Sequence, residues 1–162
     1  DEATEAATRA TFLQKLHTYY GMPMSSSYCA VWAARMGDRA EALEALDKGM
    51  ASRMHEPFSQ FVEAVPATEG GLWQGSHVEP WLTKRTCFVT ACGGFLTAAL
   101  LGFSGLQLGP GDPVGTWPAY PVALPAGWEA MEIERLWLRG QPARCLARHG
   151  AERAELHGGQ DA

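Results

Sequence analysis

Two carboxylates bracket a short aromatic stretch in His55-Glu56-Pro57-Phe58-Ser59-Gln60-Phe61-Val62-Glu63. A carboxylate held against rings loses hydration, its pKa rises, and it becomes suited to general acid or base work near neutral pH. The plainer reading of the same residues is that Glu56 before Pro57 favours the start of a helical turn, while Glu63 is simply solvated. A second polar group, Ser25-Ser26-Ser27, stands where a helical pattern begins. As N-caps these hydroxyls satisfy backbone N–H groups, and the same groups can hold an anion or a sugar hydroxyl. Trp73, Trp81, Trp117 and Trp128 offer flat faces for stacking on sugars, or the more common duty of packing in a core or interface.

Other chemistries lack their spacing. Cys29, Cys87, Cys92 and Cys145 contain no CxxC pair, and His17, His55, His77, His149 and His157 contain no HxxxH or HxH, so no metal site is expected; buried free thiols are the default reading, with a disulfide between any pair the alternative. Gly109-Pro110-Gly111-Asp112-Pro113 lacks the lysine and the strand-to-helix context of a phosphate loop and reads as turn chemistry. No cofactor is implied. With 18 acidic against 13 basic residues the formal charge is -5, which leaves no basic footprint for phosphate backbones, so nucleic acid is not an expected partner. The longest apolar stretch, Phe95 to Phe103, is about half of the roughly 20 residues that a membrane span needs, so no membrane partner is expected either.

The elements that must position these residues follow from periodicity. At 46% hydrophobic and 19% charged, 162 residues can bury a core. Apolar residues recur at helical spacing from Thr4 to His17, and Gly21 with Pro23 ends that pattern. The serines then cap a second helix carrying Cys29 through Met36, with Gly37 as its stop. Asp38 with Glu41 forms a variant capping box for a third helix, whose apolar stripe is Leu43, Leu46, Met50 and Met54. So short a link between two helices predicts an antiparallel hairpin.

From His55 to Arg85 periodicity is lost, which predicts long loops with at most a helical turn after Glu56; the rings of Phe58, Phe61, Trp73 and Trp81 argue against disorder there. Cys87 to Leu101 predicts a buried helix, apolar on all sides, with Gly93 and Gly94 marking a close backbone approach. Beyond Phe103, short apolar runs at Leu106–Leu108, Tyr120–Leu124, Met131–Leu138, Cys145–Arg148 and Ala151–Leu156 alternate with Pro and Gly turns, the texture of a small β unit. The parity of Met131 and Ile133 differs from that of Leu136 and Leu138, which predicts a bulge near Arg135. The tail from Gly158 to Ala162 reads as frayed.

Four blocks taken together give the chain a resemblance. They are Gly21-Met22-Pro23-Met24-Ser25, the helix hairpin around Gly37-Asp38, Glu56-Pro57-Phe58 followed by Glu63, and Phe88-Val89-Thr90-Ala91-Cys92-Gly93-Gly94-Phe95-Leu96 running on to Gly102-Phe103-Ser104-Gly105-Leu106. This resembles the C-terminal part of family 65 glycoside hydrolases, in the branch that contains protein glucosylgalactosylhydroxylysine glucosidase. The last block is the most specific. In the family it reads approximately FLTGAGGFLQ, then GFxGL, and it closes an (α/α)6 barrel ahead of a small C-terminal β domain.

The implied fold is therefore mainly α: the last helical hairpins of such a barrel over residues 1–103, a small β domain over 104–157 and a frayed tail over 158–162. The implied activity is inverting hydrolysis of an α-glucoside. The family's general acid belongs to a segment upstream of the residues matched here, so this chain alone is expected to be inactive and to need that segment or chain as its partner. The motif match places the general base at Glu63. Ser25 and Ser26, with Trp73 and Trp81, are the implied substrate-binding residues, and Gln74 suits hydroxyl contacts. The phosphorylase branch holds phosphate with a histidine and a Ser-Ser pair; here the position ahead of the serines is Met22 or a neighbour, and no histidine lies between His17 and His55, which favours hydrolysis. Two departures stand out: the loop from Ala64 to Arg85 is longer than in relatives, and Cys92 replaces a Gly or Ala. A disaccharide phosphorylase and a non-catalytic carbohydrate-binding or structural subunit remain the alternatives.

Overall fold

The computed structural model describes residues 1–15, 23–51, 54–55, 60–61 and 88–158. Among the described residues, helices dominate up to Phe103 and a three-stranded antiparallel sheet lies near the C-terminus. In chain order the elements are α1 (Glu2–Lys15), α2 (Pro23–Arg35), α3 (Arg39–Gly49), the two-residue strands β1 (Met54–His55) and β2 (Gln60–Phe61), α4 (Val89–Thr97) running into π-helical Ala98–Phe103, the single turn α5 (Pro113–Thr116), and β3 (Ala130–Leu138), β4 (Gln141–Arg148) and β5 (Glu155–Gly158). The chain divides into two compact units, one of residues 1–29 and 44–95, the other of residues 30–43 and 96–162.

The join between α2 and α3 shows how local chemistry sets the helix ends. Gly37 sits at φ +80°, its N–H reaches Ala34 O at 2.9 Å, and the Asp38 N–H reaches Ala33 O at 2.9 Å. This is a Schellman closure, in which a left-handed glycine lets two of the last carbonyls be satisfied. Asp38 then starts α3, its Oδ1 accepting from the Glu41 N–H at 3.0 Å. Only half of the expected capping box forms. The Asp38 N–H that Glu41 would have accepted is already given to Ala33, and Glu41 Oε1 is left buried without a hydrogen bond among the described residues.

Several expectations are corrected at the level of elements. α2 begins at Pro23, so Ser25, Ser26 and Ser27 lie inside its first turns rather than capping it; proline at a first helical position has the fixed φ and the missing N–H that suit it. The buried stripe of α3 is Ala42, Ala45, Leu46 and Met50, while Leu43 is exposed and Met54 has left the helix for β1. Met54 pairs with Phe61 and His55 with Gln60, so the segment expected to be loop carries a short antiparallel pair. α4 is not buried on all sides. Ala91 of α4 and Ala98 at the start of the π-helical stretch are covered, whereas Val89 and Leu96 are 73% and 58% exposed, so buried and open positions differ in residue size more than in polarity.

The glycines of this helical stretch explain the close faces. A Cβ on Gly94 would overlap Ser27 Oγ and stand 3.0 Å from Ser27 Cβ. In the other unit, a Cβ on Gly102 would stand 3.2 Å from Val31 Cα, and Ala30, Ala33 and Ala34 are buried on that same helix. A Cβ built on Gly93 would find nothing within 4 Å, so the expected close approach falls at Gly94.

In the sheet, β4 is central and pairs antiparallel with β3 and β5. Ile133 faces Cys145 and Leu136 faces Ala143, so Glu134 and Arg135 together oppose Arg144. That is the expected bulge, and it restores Leu136 and Leu138 to the face already occupied by Met131 and Ile133. The runs Leu106–Leu108 and Tyr120–Leu124 are not strands. Leu106 makes one isolated bridge with Pro118, and the buried strap at Val122–Leu124 finds its partners singly: Val122 N–H to Ala151 O at 3.1 Å, Ala123 N–H to Phe103 O at 2.9 Å, and Arg39 Nη2 to Val122 O at 3.3 Å. Buried backbone is satisfied there without a ladder.

Candidate functional site

Of the residues expected to bind substrate, the described structure holds Ser25 and Ser26. Both lie in the first turns of α2, Ser25 half-buried and Ser26 at 0% exposure. Ser27, next along, is also buried, and its hydroxyl donates to Met24 O at 2.6 Å. That bond fixes the Ser27 side chain in the place that Gly94 of α4 leaves open. Ser25 is thus the member of the run that a ligand can reach, while Ser26 and Ser27 belong to the packing of the unit.

The thiol on the same helix is disarmed. Burial pushes the Cys29 thiol up to about 11, opposed in part by a backbone hydrogen bond, so at neutral pH it stays protonated. Cys145, in the other unit, is raised to about 11 by burial as well. The expectation of buried free thiols fits these two; Cys92 is free and half-buried. What the start of α2 leaves accessible is one half-buried neutral hydroxyl, that of Ser25.

Glu63, Trp73 and Trp81, together with Glu56 and Gln74, lie outside the described residues. Glu63 follows the end of β2 by two positions in sequence. Trp117 and Trp128 have packing partners: Trp117 Nε1 donates to Gly109 O at 3.0 Å, and the Trp128 ring meets Phe103 edge-on with centroids 6.0 Å apart. The Gly109–Pro113 segment is a turn, with Asp112 Oδ2 accepting from the Gly115 N–H at 3.1 Å and Pro113 opening α5. Among the described residues no group of three or more His, Cys, Asp or Glu could hold a metal ion, and no helix is long and apolar enough to cross a membrane.

Among the aromatic residues that the sequence did not single out, Trp137 on β3 is the most exposed tryptophan of the described residues, at 63%. The signal was present: once Leu136 and Leu138 share the inner face, the residue between them must turn outward.

No protein-family model, curated protein or solved structure matches this chain.

Proposed function

We propose that this chain is the C-terminal portion of an inverting glycoside hydrolase of the family 65 type, acting on an α-glucoside, with Glu63 as the general base. In this reading the helices up to Phe103 are the last hairpins of an (α/α)6 barrel, and the small sheet is its C-terminal appendage. Glu63 activates a water on the face of the sugar opposite the leaving group. A glutamic acid from the upstream segment protonates the glycosidic oxygen, and the two carboxyl groups stand roughly 6.5–9.5 Å apart to admit the water. Trp73 and Trp81 stack on the sugar, and Ser25 contributes a hydroxyl contact at the subsite edge.

The observation that carries the reading is the block from Phe88 to Leu106. Its Gly-Gly pair, apolar run and Gly-Phe-Ser-Gly-Leu ending resemble the family's block in order and spacing, and the helix ends at Phe103, where that block passes from barrel to β domain. Support also comes from Val89 and Leu96, apolar residues left open on a helix that a barrel would cover with neighbouring hairpins.

The test is to combine this chain with the upstream polypeptide and follow an α-glucoside by NMR, with and without inorganic phosphate. Release of β-glucose independent of phosphate is expected. Formation of a sugar phosphate that requires added phosphate would replace hydrolysis by phosphorolysis, and absence of turnover in both conditions would leave a non-catalytic subunit.

A further inference from the structure

Three basic side chains gather around one short strap in the unit of residues 30–43 and 96–162. Arg35 is the last residue of α2 and Arg39 the first of α3, so both start from the tip of one hairpin. Arg35 lays its guanidinium over the Tyr120 ring, with Cζ 4.8 Å from the centroid. Arg39 meets the strap two residues further on, where Nη2 donates to Val122 O at 3.3 Å, and its Nη1 lies 3.4 Å from His149 Nε2. The strap itself is pinned: Tyr120 N–H reaches Gly105 O at 2.9 Å and Val122 N–H reaches Ala151 O at 3.1 Å. His149 is tied beside it, its N–H reaching Glu129 O at 2.9 Å.

The electrostatics of this arrangement are unfavourable by themselves. Among the described residues neither Arg35 nor Arg39 has a carboxylate ion pair. The acids of the same turn are spent elsewhere, Asp38 Oδ1 on the Glu41 N–H, while Glu41 Oε1 is buried without a hydrogen bond. Arg35 Nε is a buried donor with no acceptor, so its desolvation goes uncompensated. Arg39 opens α3, the end of a helix dipole that disfavours a cation. The carbonyl end of α2 and the Tyr120 ring account for Arg35 alone; they do not account for a second guanidinium on the same strap.

We propose that Arg35, Arg39 and His149 form a binding site for a phosphate group. The donors select the ligand. Each guanidinium presents a planar fork of N–H groups that matches phosphate oxygens, and two forks beside a histidine supply more donors than the two oxygens of a carboxylate can accept. A neutral ligand would leave the like charges unopposed, whereas a phosphate dianion offsets both. Stacking on Tyr120 and the bond to Val122 O hold the forks in place before the ligand arrives, which reduces the ordering cost of binding. The site lies within one compact unit and uses neither Glu63 nor Ser25, so it stands or falls apart from the catalytic reading.

The test is isothermal titration of the full chain with inorganic phosphate, glucose 6-phosphate and acetate, each in chloride buffer of matched ionic strength. Saturable binding of at least one phosphate ligand is expected, the tighter of the two naming the source, and acetate should bind about tenfold more weakly or less. Arg35→Gln and Arg39→Gln should each weaken phosphate binding by about tenfold, Arg35→Lys should keep part of it, and His149→Ala should cost roughly threefold. Arg39→Gln also gives up the bond to Val122 O, so its thermal midpoint is read alongside; Arg35→Gln leaves that bond in place. Glu63→Gln should bind phosphate as the wild type does. Absence of saturable binding by both phosphate ligands, acetate binding as tight as phosphate, or unchanged affinity in Arg35→Gln and Arg39→Gln would overturn the proposal.

Discussion

At the scale of single residues, burial decides what the polar and sulfur groups can do. Cys29 and Cys145 share the same cause and direction of shift, their thiols rising to about 11 as burial disfavours the thiolate. The unfolded-state thiol titrates near 8.5, so the folded state holds the proton more tightly. The resulting contribution is complete below that unfolded value and is lost as pH rises through about 11. Native protein at pH 8 should therefore leave Cys29 and Cys145 unmodified by iodoacetamide while Cys92 reacts, as read by peptide mass mapping. Modification of all three at similar rates without denaturant would contradict the burial. Sequence made the thiols legible as free but could not rank them, because spacing carries no information about depth.

At the scale of elements, the packing of α2 on α4 within the first unit turns on one missing methyl. Gly94→Ala should destabilise the protein by about 1–3 kcal/mol, because the new Cβ overlaps Ser27 Oγ and the buried serine has little room to move. Ser27→Ala should recover part of that loss in a double-mutant cycle read by urea denaturation, and Gly93→Ala should be neutral or stabilising. Equal costs at Gly93 and Gly94 would refute the close approach. The β3–β4 turn gives the opposite sign: Arg139→Asn should stabilise by about 1 kcal/mol, read as a raised thermal midpoint, by relieving a left-handed non-glycine residue.

Much of this level was legible in sequence. The bulge near Arg135 followed from a parity slip, the Gly37 stop from residue type, and Asp38 as a cap from its place before a helical pattern. The start of α2 was not, because three consecutive serines imitate a cap while Pro23 is an equally good first residue. The strap at Val122–Leu124 was read as a strand for a similar reason. Its apolar residues are buried, but their backbone partners come one at a time from distant segments, which no local pattern encodes.

At the scale of the whole molecule, composition set the broad class and the family resemblance set the proposed function. The two compact units interleave in sequence, since residues 30–43 belong with 96–162, so the sheet and the tip of the helical hairpin form one body. Arg39 illustrates this, with Nη2 donating to Val122 O and Nη1 lying 3.4 Å from His149 Nε2. Local periodicity showed the helices and strands in turn, but not that a hairpin tip would join the later sheet. The candidate site was less legible than the fold: Ser25 and Ser26 were found as a pair, and burial then separated them.

The central claim is that Glu63 activates water in a site completed by upstream helices, and its most direct test is Glu63→Gln in the protein assembled with that segment. Turnover of the α-glucoside should fall by about 10²–10⁴-fold with KM little changed, and azide should restore turnover with inversion at the anomeric carbon. Near-normal turnover by the Glu63→Gln enzyme would contradict the account.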